Sequence, residues 1–338
     1  MENKNLLEKD SVSASGVNTA GTAGAVIKAE HLSKQFTLEA GAFARSDKIV
    51  YAVNDVSFSI RRGETYGLVG ESGCGKTTTA RLLIGMYKAT GGKILYRENS
   101  GVKTSSNGKT CAQEPDSSYM TDITSLNRRQ LKEYREKVKY VFQDPARSLN
   151  PRMGVYDVLT SGLRYSSHWS NAADARVKAE QIIQEVGLTV EDLEKRPAEF
   201  SGGQRQRISI ARGLIMNPEL LICDEVVSAL DVSIQAQILN LLSRIRSERK
   251  LSMLFITHDL KVACYFCDRI GVMYHGVLVE EAPAADLYKS AYHPYTKLLF
   301  NGAQGKITPP EEMPSIKDVE MPLPPFTEVS PEHFVRMN

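Results

Sequence analysis

A glycine-rich loop between an apolar run and a helical run is the feature that most restricts the fold of this 338-residue chain. The loop runs from Gly70 to Thr77 as GESGCGKT and matches the phosphate-loop pattern. The segment TYGLVG at its start predicts a buried strand, and KTTTARLLIGM has the apolar spacing of a helix. Strand, glycine loop and helix in this order begin an α/β unit, so we predict an α/β fold with a nucleoside triphosphate site.

The residue types of this loop suit phosphate chemistry. Glycines allow the backbone to curl so that successive N–H groups point at phosphate oxygens. A helix that begins near Gly75 adds the positive end of its dipole. Lys76 supplies a point charge for the outer phosphates, and the Thr77 hydroxyl is a hard oxygen ligand of the kind Mg²⁺ prefers. The alternative, an ordinary glycine turn, is disfavoured because chance matches seldom lie between a predicted strand and a predicted helix.

Two acidic residues follow a second apolar strand. The segment LLICDE delivers Asp224 and Glu225 at the carboxyl end of that strand, where ligand sites of α/β proteins form. Asp224 is predicted to hold Mg²⁺, and Glu225 to orient or deprotonate an attacking water. Taken alone, the pair is explained equally well as a solvated strand end.

A second glycine loop lies far along the chain. The segment SGGQRQR begins at Ser201 and leads into the helical run QRISIARGLI, which again predicts a backbone nest at a helix start. One triphosphate does not need both loops from the same subunit. The pair therefore indicates a shared site, in which two chains hold nucleotide between them.

Composition excludes several other classes of protein. Lys and Arg total 42 and Asp and Glu total 40, a balance that argues against a dedicated nucleic-acid binder. No stretch of 18 to 20 uninterrupted apolar residues is present, and the first residues do not resemble a secretory signal. The five cysteines are expected to be reduced thiols, and the Cys264–Cys267 pair is expected to be buried thiols rather than a metal site.

The chain divides into three regions by composition. Residues 1–25 are rich in small and polar side chains and predict a disordered tail. Residues 26–281 are expected to form the nucleotide-binding domain, with a polar surface loop at 99–120. Most of the 14 prolines lie in residues 282–338, so that extension is predicted to be largely extended and without a core of its own.

Several motifs in order resemble one family. They are GESGCGKTT, VFQDP, FSGGQRQR, LLICDE, SALD and ITHD. Together they are similar to the ATP-binding subunits of ABC transporters, and the resemblance covers about residues 27–300. The segments VFQDPARSLNPRM, SALDVSIQAQILNLL, VMYHGVLVE and HPYT resemble the oligopeptide and dipeptide importer group most. The implied fold is a mixed-sheet ABC ATPase domain over residues 26–281, with an antiparallel β subdomain and a helical subdomain at about 145–205.

The resemblance implies a role for each matched position. Glu225, His258 and Gln143 are the implied catalytic residues, and Thr77, Gln143 and Asp224 the implied Mg²⁺ site. The implied signature and dimer interface consists of Ser201, Gly202, Gly203, Gln204 and Asp231. The implied ATP-binding residues are Phe36, Tyr51, Gly70, Glu71, Ser72, Gly73, Cys74, Gly75, Lys76, Thr77 and Thr78. Phe36 is the implied aromatic platform for adenine, with Tyr51 as the competitor and core packing as the alternative for either ring.

The same resemblance implies partners and a location. The expected partners are two transmembrane permease subunits and a second ABC ATPase subunit, either a homologous non-identical chain or a second copy. An extracytoplasmic peptide-binding protein is an indirect partner, and nucleic acid is not expected. The expected location is the cytoplasmic face of the cell membrane. The competing hypothesis is a soluble ABC ATPase of a cytosolic enzyme complex, such as a carbon–phosphorus lyase-type assembly.

Overall fold

The structure, a computed structural model, describes residues 24–38, 48–98, 120–303 and 323–336. The tail predicted over residues 1–25 lies outside the described residues except for its last two positions. The polar loop predicted over residues 99–120 lies outside them except for its last position. Residues 304–322 of the proline-rich extension also lie outside the described residues.

Within the described ranges the chain forms twelve β-strands and ten α-helices. The strands are β1 Ala25–Leu38, β2 Lys48–Arg61, β3 Thr65–Val69, β4 Gly91–Tyr96, β5 Thr121–Asp122, β6 Val138–Val141, β7 Leu220–Asp224, β8 Ser252–Thr257, β9 Arg269–Tyr274, β10 Val277–Pro283, β11 Phe326–Ser330 and β12 His333–Arg336. The helices are α1 Lys76–Leu83, α2 Arg128–Lys137, α3 Pro145–Ser148, α4 Val155–Thr160, α5 Ala172–Glu185, α6 Gly202–Leu214, α7 Val232–Arg249, α8 Leu260–Phe266, α9 Ala284–Lys289 and α10 Pro294–Ala303.

A central sheet carries the fold. Its strand order is β11-β12-β10-β9-β3-β8-β7-β6, and the strands from β9 to β6 in that order run parallel to one another. Strands β3, β7 and β8 are buried along their whole length, which explains why their sequences are continuous apolar runs rather than alternating ones. The prediction of an α/β fold is confirmed.

The two faces of this sheet pack against different layers. Along β7, Leu221 and Cys223 belong to a core shared with helices α6 and α7. Leu220 and Ile222 point to the opposite face and belong to a core shared with α1 and a second sheet. That second sheet is antiparallel with the strand order β2-β1-β4-β5, and from Asn54 to Arg61 the side chains of β2 alternate between buried and half-buried. Helices α3 to α6 follow one another between β6 and β7.

The end of the extension forms regular structure. Residues 326–336 form a β-hairpin, and β12 pairs with β10 through Glu280 with Val335 and Glu281 with Phe334. The hairpin joins the central sheet, a pairing that the composition of the extension did not indicate. The physical reason is that the open edge of β10 accepts β12, which buries Val335 completely and adds two strands to the central sheet.

Among the described residues, no helix combines the length and the apolar content needed to cross a lipid bilayer.

Candidate functional site

The candidate site forms where four neighbouring parallel strands end. The phosphate loop follows β3, His258 follows β8, Asp224 ends β7, and Gln143 lies two residues beyond β6. These strands are adjacent in the order β3-β8-β7-β6, so their carboxyl ends lie at one edge of the sheet. Binding sites of α/β folds form at this edge.

Glycines in the phosphate loop allow it to contact neighbouring strands closely. Gly75 has φ +109°, and a Cβ at this position would lie 2.2 Å from the carbonyl oxygen of Ala52 in β2. A Cβ at Gly70 would lie 2.1 Å from the carbonyl oxygen of Met273 in β9. Such distances exclude any side chain, so the loop is held between two strands by contacts that only glycine permits. Glu71, Ser72 and Gly73 remain exposed at its outer surface.

Lys76 spans the loop from the first turn of α1. Its Nζ donates hydrogen bonds to the carbonyl oxygens of Gly70 at 2.6 Å and Glu71 at 2.7 Å. The residue is only 4% exposed, and no acidic residue in the described ranges forms an ion pair with it. A buried ammonium without a counterion is costly, so this position favours an anionic ligand. The residues present therefore fit a phosphate group.

Asp224 and Thr77 bring hard oxygen atoms together beside the loop. The Thr77 hydroxyl donates to Asp224 Oδ1 at 3.0 Å, and the Tyr140 hydroxyl donates to Asp224 Oδ2. Asp224 is 3% exposed. Burial and the charge of Asp224 raise the pKa of Tyr140, which keeps this hydroxyl protonated as a donor. A carboxylate and a hydroxyl at hydrogen-bond distance are a donor set that fits Mg²⁺.

Tyr140 is a site residue that the sequence analysis did not identify. It belongs to the short strand β6, where a tyrosine in the alternation VKYV is ordinary for a half-buried strand. Only its position directly before the VFQDP segment could have drawn attention to it.

Glu225 lies one residue beyond β7 and is held by three groups. Its N–H donates to the carbonyl oxygen of Ile256 at 3.0 Å, and its backbone has φ 48°, a left-handed conformation uncommon for glutamate. Its Oε2 accepts a hydrogen bond from Gln143 Nε2 at 2.6 Å, and its Oε1 lies 3.8 Å from His258 Nδ1. The three residues expected to be catalytic therefore lie together in the structure. Strained backbone of this kind concentrates at functional sites.

The serine–glycine loop has a different environment. Ser201 is the N-cap of α6, where its hydroxyl accepts from the N–H of Gln204 at 3.3 Å and its own N–H donates to Gln204 Oε1 at 3.0 Å. Both residues are exposed, and within the described residues neither side chain hydrogen-bonds to the phosphate loop. Gly203 lies against Ile234 of α7, and Asp231 is the exposed N-cap of the same helix.

The two aromatic candidates lie on paired strands. Phe36 is opposite Val50 in the register of β1 and β2, and Gln35 is opposite Tyr51. Because side chains of successive strand residues point to opposite faces, Phe36 and Tyr51 face opposite sides of this sheet. Phe36 is half-buried and packs edge-to-face with Tyr87, with 5.6 Å between the ring centroids. Tyr51 is 52% exposed.

The described cysteines are free thiols. Burial raises the pKa of Cys223 to about 12 and of Cys264 to about 11, and it also raises the pKa of Cys74 and Cys267. No group of three or more metal-binding side chains of the His, Cys, Asp or Glu type is present in the described part of the chain.

Known protein families and relatives match the chain. A family model described as ABC transporter matches residues 53–228. The oligopeptide transport ATP-binding protein OppF of Bacillus subtilis (strain 168) is 41% identical, over 92% of this chain and 95% of that protein. The oligopeptide transport ATP-binding protein AmiF of Streptococcus pneumoniae serotype 4 is 40% identical, over 88% of this chain and 92% of that protein.

Solved structures show the same architecture. A dimeric ATP-binding cassette in a post-hydrolysis state, bound to ADP and Pi, has a TM-score of 0.61 and 25% identity. The alignment covers 76% of this chain and 98% of that one. The cbiO1 protein of Clostridium perfringens, part of the cbiONQ ABC transporter complex, has a TM-score of 0.60 at 23% identity, which supports the fold alone.

Proposed function

Since the chain belongs to the ABC transporter family and is an ATPase of that family, we propose that it powers the import of oligopeptides or dipeptides through ATP-driven closure of a dimer. One observation carries the ATPase part of this proposal: Lys76, Asp224 and Glu225 lie at the same sheet edge, in the environments that phosphate binding and hydrolysis require. The cargo rests on the relatives, which are named oligopeptide transport proteins.

The phosphate loop is the proposed ATP site. Residues Gly70 to Thr78 surround the phosphates, and Lys76 exchanges its two carbonyl partners for phosphate oxygens. The exchange is favourable because an ammonium gains more from charged oxygens than from neutral carbonyls. Adenine rests on either Phe36 or Tyr51, and their opposite orientations support one platform rather than a pair.

Thr77, Asp224 and Gln143 are the proposed residues around Mg²⁺. When bound, the cation supplies positive charge to the phosphate oxygens and neutralises the charge that develops during transfer. Tyr140 holds one oxygen of Asp224 by donating to it, which leaves the second oxygen toward Thr77. This arrangement orients the carboxylate as outer-shell hydrogen bonds do in metal sites.

Glu225 is the proposed general base. Its carboxylate accepts the proton of the attacking water, and Gln143 fixes one carboxylate oxygen by the 2.6 Å hydrogen bond. His258, exposed beside Glu225, is the proposed hydrogen-bond donor to the γ-phosphate. The strained backbone at Glu225 and its N–H bond to Ile256 support a carboxylate held in one direction before substrate binds.

Ser201, Gly202, Gly203 and Gln204 are the proposed contacts with nucleotide on a second subunit. The exposure of Ser201, Gly202 and Gln204 at the start of α6 supports this, because the helix N-terminus and the serine hydroxyl are open to an external anion. Asp231 belongs to the same proposed interface. The dimeric state of the similar solved cassette agrees with such a pairing. The second subunit is a homologous non-identical chain or another copy of this one.

The proposed assembly includes two permease subunits and an extracytoplasmic peptide-binding protein. The chain then lies at the cytoplasmic face of the membrane, and helices α3 to α5 transmit closure to the permeases. The competing hypothesis of a soluble enzyme complex draws no support from OppF and AmiF, whose names refer to transport.

The test is purification of the full chain from its own cells in a mild detergent. We expect two hydrophobic permeases to copurify, and the assembly in liposomes to take up labelled oligopeptides with hydrolysable ATP only. A nonhydrolysable ATP analogue is the matched control. Copurification with soluble enzymes and no permease would overturn the transport proposal and favour the cytosolic alternative.

A further inference from the structure

A tyrosine of the C-terminal extension reaches the phosphate loop. Tyr295, the second residue of α10, is completely buried, and its hydroxyl accepts a hydrogen bond from the N–H of Glu71 at 3.0 Å. Its ring lies on that of Tyr274 at the end of β9, with 4.1 Å between the ring centroids. Burial raises the pKa of Tyr295, so its oxygen is a neutral acceptor with a fixed direction.

The N–H of Glu71 belongs to a peptide group that also hydrogen-bonds with Lys76. The carbonyl of this peptide is that of Gly70, which accepts Lys76 Nζ at 2.6 Å. Tyr295 and Lys76 therefore hold the Gly70–Glu71 peptide from its two ends. A hydrogen bond accepted from the N–H of an amide strengthens the carbonyl of the same amide as an acceptor, because the bonds polarise one another.

The segment before Tyr295 is itself anchored by a buried carboxylate. Glu280 of β10 is 0% exposed and accepts hydrogen bonds from the N–H groups of Tyr292 at 2.8 Å and His293 at 3.1 Å. A third contact comes from His333 Nε2 of the terminal hairpin, at 2.7 Å. The N–H of Tyr295 then donates to His293 Nδ1 at 3.1 Å. These bonds fix the start of α10 against the central sheet.

We propose that Tyr295 is a positioning residue of the nucleotide site. Its hydroxyl fixes the Gly70–Glu71 peptide, so that this part of the loop keeps its shape when the Lys76 ammonium leaves the loop carbonyls for phosphate. The inference rests on the proposed role of Lys76 in ATP binding. Among the described residues, the Tyr295 hydroxyl hydrogen-bonds to the loop and to none of the proposed catalytic residues, so it acts on ATP affinity rather than on the reacting atoms.

The test compares Tyr295→Phe with Thr296→Val in the full chain. Tyr295→Phe keeps the ring and removes the acceptor. Thr296→Val is the matched control, because Thr296 is the next residue of α10, is buried, and has no hydrogen-bond partner for its hydroxyl among the described residues. We expect the KM and Kd for ATP to rise about fivefold in Tyr295→Phe, the size of one neutral hydrogen bond, with kcat within twofold. We expect KM, Kd and kcat to be unchanged in Thr296→Val.

Amide hydrogen exchange at Glu71 gives a second readout that packing alone does not move. We expect exchange of this amide to be faster in Tyr295→Phe and unchanged in Thr296→Val. Equal ATP affinity in Tyr295→Phe and wild type would overturn the proposal. So would an equal loss in both variants, which would assign the effect to packing of α10. Failure of the wild-type chain to bind ATP would instead reject the proposed function.

Discussion

The phosphate loop and the serine–glycine loop both present glycines at a helix N-terminus, but their surroundings differ. The phosphate loop contacts its own chain on several sides, through the carbonyls of Ala52 and Met273 and the hydroxyl of Tyr295. In the serine–glycine loop, Ser201 and Gln204 hydrogen-bond to each other. The first loop is therefore shaped by contacts within the chain, whereas Ser201 and Gln204 of the second are exposed, as the proposed contact with nucleotide on a second subunit requires. This difference predicts that one loop controls ATP affinity and the other controls turnover in the assembly.

The largest expected effect concerns the chemical step of ATP hydrolysis, which neither loop carries out. In Glu225→Gln the amide cannot accept a proton, so we expect ATP hydrolysis to fall by about 10²- to 10⁴-fold, the usual contribution of a general base. The Kd for ATP stays within twofold, since the phosphate loop is intact. Phosphate release and equilibrium binding of ATP measure the two quantities.

Glu133→Gln is the control for that substitution. Glu133 lies on α2, pairs with Arg129 at 3.3 Å and is exposed, so its neutralisation leaves hydrolysis unchanged. Hydrolysis by Glu225→Gln at the wild-type rate would remove Glu225 as the base. A large loss of ATP affinity in the same variant would show that ATP binding and hydrolysis do not depend on separate residues, contrary to what the geometry indicates.

The next effect belongs to the phosphate loop. Lys76→Ala removes a buried ammonium and its charged hydrogen bonds, each of about 1.5–3 kcal/mol, so we expect the Kd for ATP to rise about tenfold to a hundredfold. Calorimetry measures the Kd. Lys178→Ala is the matched control, because Lys178 Nζ also donates to a backbone carbonyl, that of His168 at 3.1 Å, at a position away from the loop. Wild-type affinity in Lys76→Ala would contradict the assigned role.

Much of the site follows from the sequence because its residues come directly after buried strands. An apolar run such as LLIC fixes a parallel strand, and parallel strands bring their carboxyl ends to one edge. Asp224, Glu225 and His258 are then brought together by topology alone. The α/β fold was predictable for the same reason, since the runs around β3, β7 and β8 are apolar on both faces.

The parts that the sequence did not predict depend on pairing between distant segments. The terminal hairpin gains its stability from the edge of β10, which the local composition around its prolines does not reveal. Tyr140 and Tyr295 act through hydroxyl groups whose partners, Asp224 and Glu71, are far away in sequence. A tyrosine that packs in a core and one that donates or accepts at a site have the same local pattern, so only the three-dimensional structure separates them.

The smallest expected effect tests the serine–glycine loop. Ser201→Ala removes the hydroxyl that caps α6, a loss of about 1 kcal/mol, and with it the proposed contact to nucleotide on the second subunit. We expect hydrolysis by the assembly to fall about fivefold, while the Kd of the isolated chain for ATP is unchanged. Asn127→Ala is the matched control, because Asn127 caps α2 in the same reciprocal arrangement, with Gln130.

Both substitutions remove a cap of the same kind, so they should lower the free energy of unfolding by similar amounts. Only Ser201→Ala should reduce turnover, since α2 has no proposed contact with nucleotide. An equal loss of turnover in both variants would assign the effect to stability. A different outcome would remove the distinction between the loops: Ser201→Ala could raise the Kd of the isolated chain for ATP as much as Lys76→Ala does. Both loops would then contact the same nucleotide within a single chain.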